Sequence, residues 1–124
     1  MSDQKIILVV DDEPDIALAL KDRLEMEGYQ IITAADGMEA LEKLAETEPA
    51  LILMDVMMPR MNGFQACRKI KSTTEWSKIP VILLTAKSQE SDRYWGKESG
   101  CDDYVMKPFE MDEIVGKISR CLQK

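Results

Sequence analysis

The chain has 124 residues, 45% of them hydrophobic and 31% charged, with a formal net charge of -7. That length fits one domain able to bury a core without disulfide or metal staples, in the range of an ordinary soluble globular protein. So acidic a chain has no electrostatic footprint for nucleic acid or an anionic membrane surface, so direct nucleic-acid binding and membrane insertion are not expected.

From the amino terminus, the apolar run Ile6-Ile-Leu-Val-Val10 is too short for a signal-peptide core or a membrane span, and predicts a first strand. Glu13-Pro14 opens a helix, with proline near N1 where its missing N–H does no harm. Ile16, Leu20 and Leu24 form the inward face and Gly28 stops it. Gln30-Ile-Ile-Thr-Ala34 is the second strand. Asp36 is a candidate N-cap for a helix with Leu41, Leu44 and Ala45 inward and Pro49 after its end. Leu51-Ile-Leu-Met54 is the third strand. Asn62 is positioned to cap a helix with Phe64, Cys67 and Ile70 inward. Val81-Ile-Leu-Leu84 is the fourth strand. The stretch of about 89–99 is polar nearly throughout, with Gly96 inside and Tyr94 and Trp95 as its main apolar mass. It predicts a weakly packed fourth helix. Asp103-Tyr-Val105 is a fifth strand, and Ile114, Ile118 and Leu122 mark a last helix.

Three of the runs are apolar on both faces, the pattern of strands buried in a parallel sheet. Alternation with helices predicts a doubly wound α/β domain, with residues 1–124 expected to form one unit and no effector domain. No internal repeat, low-complexity segment or linker interrupts it.

The residue inventory narrows the chemistry. There is no histidine, which removes Ser-His-Asp and Cys-His catalysis, histidine metal ligands and any role as a phosphohistidine carrier. Cys67, Cys101 and Cys121 have no framework spacing and no CxxC partner. They predict reduced thiols in a cytoplasmic protein and no structural zinc.

In open α/β sheets ligands bind beyond the carboxyl ends of the strands. Here the first strand ends in Asp11-Asp12, the third in Asp55 and the fourth in Thr85, while Lys107-Pro108 follows the fifth. Taken singly each has an ordinary reading: Asp11, Asp12 and Asp36 as caps or loop acids, Thr85 as a cap, Lys107 as a surface lysine, Met57-Met58 as a loop plug. Their joint placement at one sheet edge favours a site. Crowded carboxylates need a cation, and oxygen ligands without histidine or thiolate favour Mg²⁺, Mn²⁺ or Ca²⁺ over zinc. A lysine and a hydroxyl alongside complete a kit for phosphoryl transfer, with a carboxylate able to act as nucleophile.

The motifs Val9-Val10-Asp11-Asp12-Glu13-Pro14, Leu53-Met54-Asp55-Val56-Met57-Met58-Pro59, Asn62-Gly63, Leu84-Thr85-Ala86, Gly100, Asp103-Tyr104 and Lys107-Pro108-Phe109 resemble the receiver domains of bacterial two-component response regulators over essentially the whole chain. The resemblance implies a flavodoxin-like five-stranded parallel sheet, order 2-1-3-4-5, flanked by five helices. It implies Asp55 as phosphoacceptor, with Thr85 and Lys107 as the other catalytic residues. Mg²⁺, with Mn²⁺ as a possible substitute, would be held by Asp11, Asp12, Asp55 and the backbone carbonyl of Met57. Thr85 and Tyr104 match a switch pair, Met57 and Lys87 match positions that tune dephosphorylation, and the bond before Pro108 is commonly cis in the family. The implied partners are a sensor histidine kinase or phosphotransfer domain and a downstream target protein. That target would be contacted through the fourth helix, fifth strand and last helix. The expected state is a monomer, with pairing on phosphorylation possible. Trp95-Gly96-Lys97 with Gly100 and Asp103-Tyr104 looks closest to stand-alone receivers of chemotaxis and twitching motility. Such a protein is a signalling switch that catalyses only its own phosphorylation and dephosphorylation.

Three other readings stand against this one; the first, a degenerate receiver used only as an interaction module, is opposed by the intact set of acids, Thr85 and Lys107. Haloacid dehalogenase-like phosphatases also use an aspartate nucleophile and Mg²⁺, but need an acid two residues on, where this chain has Met57. A flavodoxin-like electron carrier needs a Ser/Thr/Gly-rich phosphate loop after the first strand, where Asp11-Asp12 would repel a flavin phosphate.

Overall fold

The computed structural model describes residues 4–58, 61–86 and 100–123. Five strands form one parallel sheet in the order β2-β1-β3-β4-β5: β1 (Ile6–Val10), β2 (Gln30–Ala34), β3 (Leu51–Asp55), β4 (Val81–Ala86) and β5 (Asp103–Lys107). The described helices are α1 (Pro14–Met26), α2 (Gly37–Glu46), α3 (Gly63–Ser72) and α4 (Met111–Leu122). The helix predicted over about 89–99, and with it Lys87 and the Trp95-Gly96-Lys97 stretch, lies outside the described residues, as does Pro59.

The doubly apolar runs belong to β1, β3 and β4, the three interior strands. Period-two alternation splits their side chains between two cores. Leu8, Val10, Ile52, Met54, Val81 and Leu83 pack under α2 and α3 with Ala40, Leu44, Ala66, Cys67 and Ile70. Ile7, Val9, Leu51, Leu53, Ile82 and Leu84 pack under α1 and α4 with Leu20, Leu24, Ile114 and Ile118. Burying strands on both faces is what a parallel sheet requires, because crossover helices cover both sides.

The local signals act as expected in most places. Pro14 is the first residue of α1, and Gly28 follows its end at φ +99°. Asp36 caps α2 by accepting from the Glu39 N–H at 2.9 Å. Asn62 and Gln65 form a reciprocal capping box at the start of α3. One helix face differs from expectation. Ala45 is exposed, and the buried face of α2 is Gly37, Ala40 and Leu44. The helix is turned because Gly37 abuts the loop before α3: a Cβ there would lie 3.0 Å from the Met61 carbonyl oxygen. Strands β3, β4 and β5 also run one or two residues further than their apolar runs, taking Asp55, Thr85 and Lys107 into the ladder. Polar residues at a strand end still pair their backbones, so hydropathy alone ends the strand too early.

Candidate functional site

The site is built at the carboxyl edge of the sheet. Register places Val10 beside Met54, and Asp55 beside Leu84, so the ends of β1, β3 and β4 lie side by side. Lys107 pairs with Ala86 at the end of β5. Asp55 and Lys107 share strand parity with Leu53 and Val105, and therefore project on the α1/α4 face. Thr85 has the parity of Leu83 and belongs to the opposite face, the face on which Tyr104 packs.

The acids Asp11, Asp12 and Asp55 each offer a carboxylate oxygen, all within 4.8 Å of one another. Asp11 and Asp55 are buried and Asp12 is exposed. Asp11 Oδ1 accepts the Glu13 N–H at 2.8 Å, while its Oδ2 is buried without a hydrogen-bond partner among the described residues. Asp55 Oδ1 accepts from Lys107 Nζ at 3.2 Å and from the Met57 N–H at 3.3 Å. Both contacts fall on the same oxygen. Lys107 also lies 3.8 Å from Glu13 Oε1. Thr85 is buried and Tyr104 half-buried. The Met57 side chain is exposed, while its backbone borders the acids. The Lys107–Pro108 peptide bond is cis, as the family pattern implies.

Electrostatics follow from crowding and burial. Asp11 is pushed up to about 6, chiefly by burial and then by the Asp55 charge, against the Glu13 N–H and Lys107, which favour its ionised form. Burial likewise raises Asp55, opposed by the Lys107 ammonium and the Met57 N–H and reinforced by Asp12. A buried carboxylate oxygen with no donor, beside two further acids, is a poor arrangement for a protein alone and a good one for a cation. The donors are all oxygens, which suits a hard divalent ion such as Mg²⁺. The three acids fit such an ion on these grounds.

Three residues outside the expected site set shape this site. Gly63, at the start of α3, has no room for a side chain: a Cβ would lie 2.6 Å from the Asp55 carbonyl oxygen and 2.8 Å from Val56 Cα. Its N–H donates to the Val56 carbonyl at 2.9 Å. Glycine is required here by close approach of the helix to the strand end, and the motif Asn62-Gly63 was the only hint. Lys117 of α4 donates to the Tyr104 carbonyl at 3.0 Å and Asp103 Oδ1 at 3.1 Å, with its ammonium 5.9 Å from the Tyr104 ring centre. Glu13, read as the opening of α1, is the third.

The model of the response regulator receiver domain family matches residues 7–119. The chain belongs to that family, and is a receiver domain of a two-component system. It is 42% identical over 120 residues to the alkaline phosphatase synthesis transcriptional regulatory protein PhoP of Bacillus subtilis, covering 97% of this chain and 49% of that protein. It spans about half the length of the curated relatives it matches. Among solved structures it resembles the signal receiver domain of a signal transduction histidine kinase from Syntrophus aciditrophicus, at 39% identity and TM-score 0.92, covering 96% and 90% of the two chains. It also resembles the receiver domain of the sensor histidine kinase PA1611 from Pseudomonas aeruginosa PAO1, whose active-site cleft holds a coordinated magnesium ion. Identity there is 30%, TM-score 0.90, and coverage 98% and 99%. The matched folds share the five-stranded, flavodoxin-like plan. No described helix is long and apolar enough to cross a membrane.

Proposed function

We propose that Asp55 accepts a phosphoryl group from the phosphohistidine of a sensor histidine kinase or phosphotransfer domain. The observation that carries this is the pairing of buried Asp55 with Lys107 at 3.2 Å inside a group of three carboxylates. Lys107 and the Met57 N–H both engage Oδ1, which fixes the carboxylate and leaves Oδ2 as the nucleophile. The Oδ2–P bond forms as the donor N–P bond breaks, and the electron pair of that bond returns to the imidazole. Mg²⁺, for which Mn²⁺ can substitute, would be held by Asp11, Asp12, Asp55 and the Met57 carbonyl and would neutralise charge on the transferring oxygens.

The product carries about -1.5 to -2 charge at Asp55. Lys107 then pairs with phosphoryl oxygens, and the Thr85 hydroxyl donates to another. Tyr104 shares Thr85's face of the sheet, and its ring moves into the space that Thr85 vacates. Met57 and Lys87 tune the rate at which water removes the group. A full reversal of the off and on populations needs a bias of about 5.5 kcal/mol toward the active form.

The output is a change in protein contacts at the surface of 89–99, β5 and α4, in the cytoplasm, by a monomer that pairs when phosphorylated. PhoP is named a transcriptional regulator, so such a relative does not favour the narrower placement among chemotaxis and twitching-motility receivers. The role proposed is the general one, a phosphorylation switch rather than an enzyme acting on external substrates.

Intact mass after incubation with Mg²⁺ and acetyl phosphate tests this. Wild type is expected to gain one phosphoryl group and Asp55→Asn none. An Asp55→Asn protein labelled as fast as wild type would sink the assignment.

A further inference from the structure

Among the described residues Lys107 has two carboxylate neighbours. Its ammonium lies 3.2 Å from Asp55 Oδ1 and 3.8 Å from Glu13 Oε1. The two acids differ in setting: the Asp55 side chain is 3% exposed and that of Glu13 60%, with Lys107 between them at 26%. The lysine therefore bridges a buried acid and one at the mouth of the site.

Glu13 is held in place from behind. Its N–H donates to Asp11 Oδ1 at 2.8 Å, and α1 begins directly after it at Pro14. It occupies the N-cap position of α1, yet its side chain makes no capping hydrogen bond. The carboxylate is thus not used where an N-cap acid ordinarily would be. Instead it faces the lysine that pairs with Asp55.

Building on the phosphoacceptor reading, we infer that Glu13 is a positioning residue: a displaceable counter-ion that holds Lys107 and restrains phosphoryl uptake from small anionic donors. With acetyl phosphate, a bond forms between the Asp55 carboxylate and phosphorus, the P–O bond to the acetyl group breaks, and acetate leaves with its electron pair. The charge beside Lys107 grows by about one unit. Lys107 must leave Glu13 to meet it. This restraint is Coulombic over a few ångströms at a partly wet site, so it is moderate and weakens with salt.

Rates of uptake from acetyl phosphate with Mg²⁺, read by intact mass, test this in wild type, Glu13→Gln, Lys107→Met and the double variant. Glu13→Gln is expected to be about three- to tenfold faster than wild type. In the Lys107→Met background the same substitution is expected to change the rate by less than about twofold, because its partner is gone. Asp15→Asn, which removes an exposed acid in the first turn of α1, is expected to match wild type. Affinity for beryllofluoride, which needs no bond cleavage, gives the same cycle if Lys107→Met is too slow to time. A Glu13→Gln rate equal to or below wild type overturns the inference. So does an equal acceleration with and without Lys107, which would make Glu13 a generic charge. Neither result touches the phosphoacceptor assignment, which fails separately if Asp55→Asn is labelled.

Discussion

The two edges of the sheet handle charge in opposite ways. At the amino edge, Lys71 at the end of α3 donates to the Ile79 carbonyl at 2.8 Å and pairs with Asp102 at 2.7 Å. Asp102 Oδ2 in turn accepts the Val81 N–H at 2.8 Å. One cation meets one anion, and both are used to tie α3 to the starts of β4 and β5. At the carboxyl edge three acids crowd together with Lys107, one buried oxygen has no donor, and Asp11 and Asp55 are raised by burial. The first arrangement serves the fold. The second is held at the expense of the fold by the rest of the structure, which is the usual mark of a site awaiting a ligand.

That contrast predicts opposite signs for neutralising substitutions. Lys71→Met removes the donors to Ile79 and Asp102, and is expected to destabilise by about 2 kcal/mol in denaturant unfolding. Phosphoryl uptake under native conditions should be little changed. Gly63→Ala, which forces a Cβ against the Asp55 backbone, is expected to cost about 2 kcal/mol and, unlike Lys71→Met, to slow uptake as well. Asp11→Asn should do the reverse of Lys71→Met. It relieves repulsion and stabilises the metal-free protein by about 1 to 2 kcal/mol, while reducing the rise in melting temperature that Mg²⁺ gives. A destabilised Asp11→Asn protein would remove the distinction between the edges.

The smallest effect is in pH. Asp11 titrates at about 6 when folded against 3.8 as a model carboxylate. The folded state therefore binds more protons between those values, and stability from this group rises as pH falls through 6 toward 3.8. Metal-free protein should gain about 1 kcal/mol from Asp11 between about pH 7 and pH 5. With saturating Mg²⁺ this gain is expected to vanish, because the ion holds Asp11 ionised and the folded state then takes up no proton there between about pH 7 and pH 5. Unfolding at the two pH values, in Asp11→Asn as a reference, separates this group from other titrations.

Much of this was legible in the residues. The runs 6–10, 51–54 and 81–84 are apolar on both faces, and only strands in the middle of a parallel sheet bury both. Given that order, Asp11, Asp12, Asp55, Thr85 and Lys107 fall at one edge by topology. Less visible was anything set by a distance between remote backbones. Gly63 reads as a turn glycine until Asp55 is placed behind it. Glu13 reads as a helix opener until Lys107 arrives from β5. The phase of α2 depends on Gly37 meeting Met61, so hydropathy placed Ala45 inward where Ala40 lies. The Lys71–Asp102 pair joins residues 31 positions apart, and nothing local in either marks it.

The central claim is that the edge with unbalanced charge is where phosphorus is bonded, at one named residue. Borohydride reduces an acyl phosphate to an alcohol and so would convert a phosphorylated Asp55 to homoserine. Peptide mass spectrometry after Mg²⁺, acetyl phosphate and borohydride should find homoserine at position 55 in wild type, and no converted aspartate in Asp55→Asn. Homoserine at Asp11 or Asp12 with position 55 intact would contradict the account.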